Sequence, residues 1–414
     1  MRNSRTLSIC VGLVALVVFG IDAAAQGRIT ALGTQTAVQV NDRVAKAFSA
    51  FPFPKADRGV DLKKVSYTTR DAKGKIEPVT GLLILPRGGA EKGLVVYMHG
   101  TTWDFKNAPS RVLTHKDQTY AELFAFAAAG YAVAAPDYIG LGDSKPTHPY
   151  PLNIVNGRSG VDIIKPVRNF ARASRYSLGK DLYVTGYSEG GGTAMGMLKL
   201  LEESGDPDLR PTKGAPASGP YDLTGVTRDF LLAEAKGTDL VTRAFLLGYT
   251  ISYFKDAFGV KTSDYFQKSM ATTVNINFKR GKSDKSIGLG LIVVGAITGG
   301  TKSRDSLLTP RFIRALEDLD MNDPVIREMS KNNVYDWSPR TPMLIISLAT
   351  DRVVDPGNAH KAVETMRRRG VGRNTMRHLE INNPALDHGS VVPEATYNTL
   401  RFFDAGFEAV PGAK

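Results

Sequence analysis

Cysteine is almost absent from this chain of 414 residues, in which Cys10 is the single example. One cysteine excludes an intramolecular disulfide, and removal of an N-terminal leader would also exclude a thiol nucleophile and a cysteine metal site. A large exported protein can lack disulfides because its length supplies the core that small secreted domains cannot build. Ile9 precedes Cys10 where a lipid-attachment signal needs a small residue, so we do not expect lipidation there.

The N-terminus lacks an apolar run long enough to cross a bilayer. Arg2 and Arg5 precede an apolar stretch over residues 7–21, whereas a spanning helix needs roughly 20 apolar residues. Three alanines then end at Ala25 and match the small-residue pattern of a signal-peptidase site. These features predict a signal peptide over residues 1–25 and a secreted or periplasmic protein, with a membrane anchor as the alternative.

Acidic residues are fewer than basic ones, 41 against 53, and the formal net charge is +12. Such a balance can favour nucleic acid, anionic lipid or an acidic cell wall. No nucleic-acid motif accompanies it, and the densest basic cluster (Lys279, Arg280, Lys282 and Lys285) lies in a loop interrupted by small and polar residues. We therefore predict no nucleic-acid partner, while a cell-wall or lipid surface stays open.

Short apolar runs alternate with helical patterns from Gly59 onward, in a chain of ordinary globular composition. This alternation predicts an α/β fold with a mostly parallel central sheet flanked by helices. The predicted strands cover residues 65–69, 78–85, 93–98, 131–136, 182–185, 342–348 and 375–381. The predicted helices cover residues 38–51, 120–129, 160–175, 191–203 and 359–369.

The alternation of predicted strands and helices is interrupted in the middle of the chain. Residues 223–338 contain amphipathic helical stretches and no convincing strand, so we predict a helical insertion that forms a lid over the strand ends. It divides the core into residues 59–222 and 339–414, which follow an N-terminal arm over residues 26–58. The apolar stretch 287–297 predicts either an acyl-chain tunnel or lid, or simple packing inside the insertion.

The motif Gly186-Tyr187-Ser188-Glu189-Gly190 matches G-x-S-x-G between a predicted strand and a predicted helix. That position gives the motif a physical meaning, because the serine must stand on a sharp strained turn with its hydroxyl exposed. Larger residues two positions to either side would collide in such a turn. Ser188 is therefore the predicted nucleophile.

A serine needs a base within hydrogen-bond reach before it can attack a carbonyl carbon. Beyond the leader, the chain has six histidines, and His388 alone follows the last predicted strand on a loop, where this type of site places its base. His378 lies inside that strand and His360 inside a helix, which predicts packed or surface roles. We therefore predict that His388 is the base.

Two carboxylates follow the predicted strand 342–348 and could orient the histidine. Asp355 precedes Pro356 at the start of a helix, where a carboxylate is typical of a cap. Asp351 is therefore the predicted third member of a catalytic triad. Asp387 is adjacent to His388 in sequence, and neighbours on a loop rarely face each other.

The negative oxygen of an acyl-transfer intermediate needs two preorganised donors, which are commonly backbone N–H groups. Glu189 follows the nucleophile and supplies the first predicted donor. The second should come from the loop after strand 93–98, where we predict Thr101 and keep Thr102 as the alternative. His99 is predicted to support this loop by hydrogen bonding.

Together these motifs resemble the α/β-hydrolase superfamily from about Gly59 onward. The segment Ala135-Pro136-Asp137-Tyr138-Ile139-Gly140-Leu141-Gly142-Asp143-Ser144, the elbow continued through Gly192 and the insertion also resemble bacterial secreted lipase/esterases related to the secretory lipase family. This resemblance implies hydrolysis of small-molecule or lipid esters through an acyl-enzyme on Ser188, with no cofactor or metal. Asp137 and Asp143 are expected to tie the loop.

Two alternatives stay open at this point. Prolyl-type serine exopeptidases share the same elbow, although they also need an acidic group to hold the substrate amine. A catalytically inactive hydrolase-fold binding module is the other, although inactive relatives usually lose a triad member and Ser188, Asp351 and His388 are all present. The sequence carries no signal of the oligomeric state.

Overall fold

A computed structural model describes residues 27–114, 119–235, 237–298 and 303–414. The predicted signal peptide and Cys10 lie outside the described residues. Within the described part of the chain, one sheet contains nine strands. They are β1 (Arg28–Gln35), β2 (Val60–Arg70), β3 (Ile76–Pro86), β4 (Leu94–Met98), β5 (Ala132–Pro136), β6 (Leu182–Tyr187), β7 (Lys213–Ala217), β8 (Met343–Leu348) and β9 (Met376–Ile381).

The strand order is β1-β2-β3-β5-β4-β6-β7-β8-β9, and pairing from β5 to β9 is parallel. The strands β1, β2 and β3 form an antiparallel edge that joins β5. The predicted hairpin is confirmed, since Arg70 pairs with Ile76 at the end of β2 and β3. The Asp71 carboxylate closes this turn by accepting the N–H groups of Lys73 and Lys75.

Helices cover both faces of this sheet. Those described are α1 (Ala37–Phe48), α2 (Ala121–Ala128), α3 (Asn153–Asp162), α4 (Ile164–Ala173), α5 (Glu189–Ser204), α6 (Val226–Leu232), α7 (Gly237–Phe258), α8 (Thr262–Tyr265), α9 (Lys268–Asn277), α10 (Asp284–Thr298), α11 (Arg304–Leu307), α12 (Pro310–Glu317), α13 (Pro324–Lys331), α14 (Gly357–Arg368) and α15 (Val392–Ala405). Short 3-10 turns occupy Phe105–Asn107, Pro109–Thr114, Pro207–Leu209 and Phe407–Ala409.

The central strands are buried on both faces, which explains their uninterrupted apolar sequences. In β4, Val95 and Tyr97 pack with residues of α1, α2 and α15. The alternate residues Val96 and Met98 pack with α3, α5 and α14 on the other face. The period of two along an extended chain therefore divides one strand between two hydrophobic layers.

Several predicted elements differ from the structure. The single predicted helix over residues 160–175 is wrong, because α3 begins at Asn153 and α4 begins after a break at Ile163. Pro166 in the first turn of α4 has no N–H to continue the hydrogen-bond ladder of α3. The N-terminal arm is also part of the core, since β1 pairs with β2.

The strand β7 was not predicted, because Lys213–Ala217 contains glycine, alanine and proline instead of β-branched residues. The structure shows why a small residue is favoured at Gly214. A Cβ on Gly214 would stand 2.4 Å from Cδ1 of Leu198 on α5. Helix α5 therefore packs directly against β7, and residues that favour strands in isolation would not fit.

Helices α6–α13 lie between β7 and β8 and form their own hydrophobic core. Large side chains of this insertion, including Phe254, Phe266 and Phe312, are almost completely buried. Residues 223–338, as far as the structure describes them, contribute no strand to the sheet. None of the helices among the described residues combines the length and the apolar character of a membrane span.

Candidate active site

Ser188 stands on the sharp turn between β6 and α5. Its backbone angles are φ 62° and ψ −125°, in a region that residues with a side chain rarely adopt. A Cβ on Gly186 would lie 2.3 Å from the carbonyl oxygen of Gly190, and one on Gly190 would lie 1.9 Å from that of Met98. Glycine at both motif positions is therefore required by contact with backbone.

The side chains of Ser188, His388 and Asp351 form one hydrogen-bonded row. The Oγ of Ser188 lies 2.8 Å from Nε2 of His388, and Oδ2 of Asp351 lies 2.7 Å from its Nδ1. Asp351 follows β8, and His388 lies on the loop between β9 and α15. Parallel strands end at one edge of the sheet, which brings these residues together from distant parts of the chain.

The carboxylate of Asp351 is held from both sides. Its Oδ1 accepts the N–H groups of Val353 and Val354 at 2.9 and 3.0 Å, while Oδ2 faces His388. The side chain is almost fully buried. This arrangement orients the imidazole with Nδ1–H toward Asp351 and leaves Nε2 as an acceptor for the serine proton.

The other two carboxylates considered for this role do not face the imidazole ring. Asp355 accepts the Gly357 N–H at the start of α14, as expected for a capping side chain. Asp387 accepts the N–H groups of Gly389 and Ser390, and bonds from Ser390 lower the pKa of this carboxyl. Both therefore organise their own loops.

Tyr187 supports the histidine loop, a role that its sequence does not reveal. Its hydroxyl donates to the carbonyl oxygen of His388 at 2.6 Å. Burial raises the pKa of the Tyr187 hydroxyl, which keeps the donated proton in place. Tyr187, which precedes Ser188 on the elbow, thus holds the backbone of His388 in place.

Two backbone N–H groups stand open beside Ser188. Hydrogen bonds between the described residues involve neither the N–H of Glu189 nor that of Thr101. Both residues line the same cavity as Ser188 and His388. Thr102 does not line it, and its hydroxyl and carbonyl groups are bonded to Asp284 and Tyr249. This placement favours Thr101 over Thr102.

The side chain of Glu189 lies in a buried polar cluster. Its Oε1 is 2.6 Å from Nε2 of His148 and accepts a weaker bond from Asn156 at 3.3 Å. Nδ1 of His148 is 3.0 Å from the carbonyl oxygen of Ile139, so that both ring nitrogens are engaged. Sequence reasoning assigned no role to His148, because 41 residues separate it from Glu189 and no motif links the two.

The loop after β4 is supported as the sequence predicted. Nδ1 of His99 lies 2.8 Å from the carbonyl oxygen of Gly100, and the ring stacks on Tyr138. Burial lowers the pKa of His99.

The loop after β5 carries Asp137 and Asp143. Asp137 accepts the Thr80 hydroxyl and the Ser110 N–H, and Asp143 pairs with Lys64 and Arg111. Asp137 and Asp143 therefore tie the loop after β5 to neighbouring elements.

His378 and His360 lie away from the cavity that Ser188 lines. Nε2 of His378 is 2.8 Å from Oγ of Ser347 on β8, and His360 pairs with Glu380 on the surface. Burial, together with the nearby imidazole of His360, lowers the pKa of His378 to about 4. This histidine is therefore neutral in the folded protein at neutral pH.

We expect His378 to make the fold acid-sensitive. An unfolded histidine binds a proton near pH 6.5, whereas folded His378 resists it until about pH 4, so stability falls with pH through that window. Between pH 7 and pH 4.5, the free energy of unfolding of the wild type should fall by about 2–3 kcal/mol more than that of His378→Gln. Urea unfolding at both pH values measures this, and equal losses in variant and wild type would contradict it.

An apolar cavity of about 370 Å³ opens over Ser188, between the sheet and the insertion. Its walls come mainly from helices α6, α7, α12 and α13. The apolar residues among them are Leu223, Phe230, Leu231, Phe245, Leu246, Leu247, Phe312, Leu316, Val325, Met329, Val353, Val354 and Val392. Few polar groups reach this space apart from those around the nucleophile.

Of the two alternatives for residues 287–297, the described side chains fit packing inside the insertion and do not form an acyl tunnel. Ile287 and Leu291 are buried in the core of the insertion, and neither lines the cavity. Leu289, Ile292 and Val293 of the same helix are exposed. The side chains of residues 294–297 lie outside the described part. Helix α10 therefore supports the insertion, and other helices form the cavity.

Among the described residues, no cluster of three or more His, Cys, Asp or Glu side chains is arranged to hold a metal ion. The arrangement around Ser188 offers a nucleophile, a proton acceptor and two open N–H donors. Those groups are suited to acyl transfer, in which a hydroxyl oxygen attacks a carbonyl carbon.

No model of a known protein family matches this chain, and no curated protein matches it. Several solved structures do match this chain. A Legionella pneumophila protein provisionally named a hydrolase is 23% identical with a TM-score of 0.78, covering 91% of this chain and 96% of that one. The rice cell wall degrading esterase LipA from Xanthomonas oryzae is 21% identical with a TM-score of 0.73, covering 90% and 95%.

Candida antarctica lipase A in its closed state is 16% identical with a TM-score of 0.63, covering 92% of this chain and 83% of that one. These likenesses extend over nearly the whole chain at low identity. They show that this protein has the α/β-hydrolase fold, which confirms the fold predicted from the elbow and the strand pattern.

Proposed function

We propose that this protein is a serine carboxylic-ester hydrolase of the lipase/esterase type that works through an acyl-enzyme on Ser188. The observation that carries the proposal is the row from Ser188 through His388 to Asp351, which opens into an apolar cavity. The hydrolases and esterases among its structural neighbours support the same class of activity.

The reaction proceeds in two halves. Oγ of Ser188 attacks the ester carbonyl carbon while Nε2 of His388 takes its proton, and Asp351 stabilises the charged imidazole. The oxygen that becomes negative lies against the N–H groups of Glu189 and Thr101. His388 then protonates the alcohol as its bond to the acyl carbon breaks, which leaves the acyl group on Oγ of Ser188. In the second half His388 takes a proton from the water that attacks the acyl carbon, and it returns this proton to Oγ as the acid leaves.

The shape and chemistry of the cavity favour an ester with an apolar acyl group. A space of about 370 Å³ lined by leucine, phenylalanine, valine and methionine binds a hydrocarbon chain better than a polar one. Each methylene buried there contributes about 0.8 kcal/mol. A lipid ester or a cell-wall ester fits this description, and LipA, one of the neighbours, is named for degrading rice cell wall.

The peptidase alternative is less well supported by the cavity. The carboxylates of Glu189 and Asp355 line it, and each uses one oxygen within the protein: Oε1 of Glu189 bonds to His148, and Oδ1 of Asp355 accepts the N–H of Gly357. An exopeptidase would need one of them to hold the amine of its substrate. Turnover of aminoacyl nitroanilides without turnover of nitrophenyl esters would reverse this ranking.

We further propose that the protein is exported to the periplasm or the medium, and that the insertion acts as a lid. Support for export comes from residues 1–25, with two arginines, an apolar stretch and three alanines. Sequencing the N-terminus of the protein recovered from its host tests this. A first residue of Gln26 is the expected result, and an intact leader on purified protein would contradict it.

A fluorophosphonate probe and a panel of nitrophenyl esters from acetate to decanoate test the activity. Labelling together with ester turnover is the expected result, and a folded protein that shows neither would instead be a binding module. Preference should rise with acyl length until the cavity is full. A strict preference for acetate would contradict an acyl site in the insertion.

Replacing Leu246 with tryptophan should shorten the acyl group that the enzyme accepts. Leu246 lines the cavity from α7 and is only partly buried, so a larger ring can enter the space without disturbing the packed core. We expect kcat/KM for octanoate to fall by about 10–100-fold, which corresponds to a few buried methylenes. Acetate turnover should change by less than about threefold.

The matched control for Leu246→Trp is Leu289→Trp, at an exposed residue of α10 that does not line the cavity. This variant should leave the ratio of octanoate to acetate turnover unchanged. An equal loss on both esters in Leu246→Trp would show that the ring disturbs the catalytic row instead of the acyl site.

A further inference from the structure

The loop that carries Thr101 is held on one side by the insertion. The carboxylate of Asp284, in the first turn of α10, reaches this loop with both oxygens. Its Oδ1 accepts the backbone N–H of Trp103 at 2.6 Å, and its Oδ2 accepts the Thr102 hydroxyl at 2.7 Å. The side-chain amide of Asn107 adds a weaker bond to Oδ2 at 3.2 Å.

Other groups of the insertion hold the same two residues. The Tyr249 hydroxyl on α7 donates to the carbonyl oxygen of Thr102 at 2.7 Å. Nε1 of Trp103 donates to the carbonyl oxygen of Lys279 at 3.1 Å, and its ring packs edge-on against Tyr249 and Phe278. The insertion is therefore bonded to the backbone and side chains on the C-terminal side of Thr101.

The N-terminal side of Thr101 is held by the sheet and its loops. The Tyr138 hydroxyl donates to the carbonyl oxygen of His99 at 3.0 Å, and the His99 ring bonds to Gly100. Thr101 lies between these two sets of contacts. The direction of its N–H consequently depends on both the core and the insertion.

The carboxylate of Asp284 does not cap the open N–H groups at the start of its own helix. Carboxylates in a first helical turn commonly cap the open N–H groups there. Here Ser283 does so, since its Oγ accepts the N–H of Ser286 and its carbonyl oxygen accepts that of Ile287. Throughout the described residues, hydrogen bonds to the Asp284 carboxylate come from Thr102, Trp103 and Asn107.

We propose that Asp284 is a positioning residue, which sets the N–H of Thr101 in the oxyanion site from the insertion. This inference rests on the proposed function, because it assigns a role within that reaction. It makes the insertion a structural part of the catalytic site as well as a wall of the cavity. Movement of α10 would move the loop, and with it one of the two donors to the negative oxygen.

Substitution of Asp284 by alanine should act on the transition state more than on substrate binding. The variant leaves the N–H of buried Trp103 and the Thr102 hydroxyl without their acceptor, so the loop relaxes. Misplacing one oxyanion donor costs up to about 10²–10³ in kcat. Because Thr101 would be displaced and not removed, we expect kcat to fall by about 10–100-fold, with KM changing less than about threefold.

A trifluoromethyl ketone with an octyl chain distinguishes this role from a general loss of structure. Oγ of Ser188 adds to its carbonyl carbon, the serine proton moves to Nε2 of His388, and the ketone oxygen becomes an oxyanion at the N–H donors. The inhibition constant of the ketone should rise in Asp284→Ala in proportion to the loss of kcat/KM. Inhibition by the corresponding trifluoromethyl alcohol, which has the same chain but no carbonyl group for Ser188 to attack, should stay within about threefold.

Asp284→Asn provides the conservative variant, because an amide can still accept from Trp103 and donate to the Thr102 oxygen. It should recover activity to within about fivefold of the wild type. Asp305→Ala is the matched control, since this exposed aspartate of the insertion pairs with Arg304 outside the cavity. Thr102→Val removes one of the bonds to Asp284, so it should lower kcat and raise the inhibition constant of the ketone as well. This variant replaces Asp284→Ala in the test if Asp284→Ala does not fold.

Unchanged ketone affinity and kcat in Asp284→Ala would overturn the inference while leaving the proposed function intact. The inference also fails if Asp284→Asn is as impaired as Asp284→Ala, or if binding of the trifluoromethyl alcohol falls as far as ketone binding. A wild-type protein that neither forms the ketone adduct nor hydrolyses esters would overturn the proposed function together with the inference.

Discussion

Replacing Ser188 with alanine is expected to lower kcat for ester hydrolysis by about 10⁴–10⁶-fold and to abolish labelling by a fluorophosphonate. The substitution removes the hydroxyl oxygen that lies 2.8 Å from Nε2 of His388, so no acyl-enzyme can form. KM for an octanoyl ester should change little, because the cavity walls that bind the acyl chain stay in place. Steady-state kinetics with a nitrophenyl ester and gel detection of the probe provide the two measurements.

Ser347→Ala is the matched control for this experiment. Ser347 also lies 2.8 Å from a histidine nitrogen, Nε2 of His378, but it belongs to β8 and lines none of the cavity. Its substitution should leave both labelling and turnover unchanged. Persistent labelling in Ser188→Ala, or its loss in Ser347→Ala, would remove the basis of the proposed mechanism.

Replacing Asp351 with asparagine is expected to lower kcat by about 10⁴-fold while leaving the fold unchanged. The structure predicts how the amide will lie. The N–H groups of Val353 and Val354 require an acceptor, so the amide oxygen takes the place of Oδ1 and the NH₂ group faces His388. Nδ1 must then accept a hydrogen bond, and the proton moves to Nε2, where it prevents the ring from acting as a base.

Two neighbouring aspartates supply the controls for Asp351→Asn. Asp387→Asn and Asp355→Asn change carboxylates that organise a turn and a helix start, and neither faces the imidazole ring. Both should keep kcat within about fivefold of the wild type. A larger loss in either variant than in Asp351→Asn would assign the orienting acid to a different residue.

The sequence was sufficient for features whose physical cause is local. Gly186 meets the carbonyl oxygen of Gly190 within the five-residue motif, so the elbow can be recognised from its local sequence, although Gly190 itself meets Met98 of β4. The hairpin between β2 and β3 likewise depends on a short turn whose Asp71 side chain bonds to its own backbone. An apolar run such as that of β4 indicates a strand that is buried on both faces of the sheet.

The cavity could not be predicted, because its walls depend on how separate helices pack. Residues 287–297 form the most apolar stretch of the insertion, and this suggested a tunnel that the described side chains do not form. Helices α7 and α12 line the cavity instead, although their sequences are less apolar than that of α10. Hydrophobicity predicts that a side chain is buried, but not which neighbour or which cavity it faces.

By itself, the sequence indicated the class of chemistry that we propose, from a serine on a turn between a strand and a helix, a histidine beyond the last strand and alternating strand and helix patterns. Only the tertiary structure decided the partners that meet across long stretches of chain. Asp284 reaches Trp103 across 181 residues, and His148 reaches Glu189 across 41. Such contacts depend on where whole elements pack, and a single aspartate or histidine in a loop carries no local pattern from which that position can be derived.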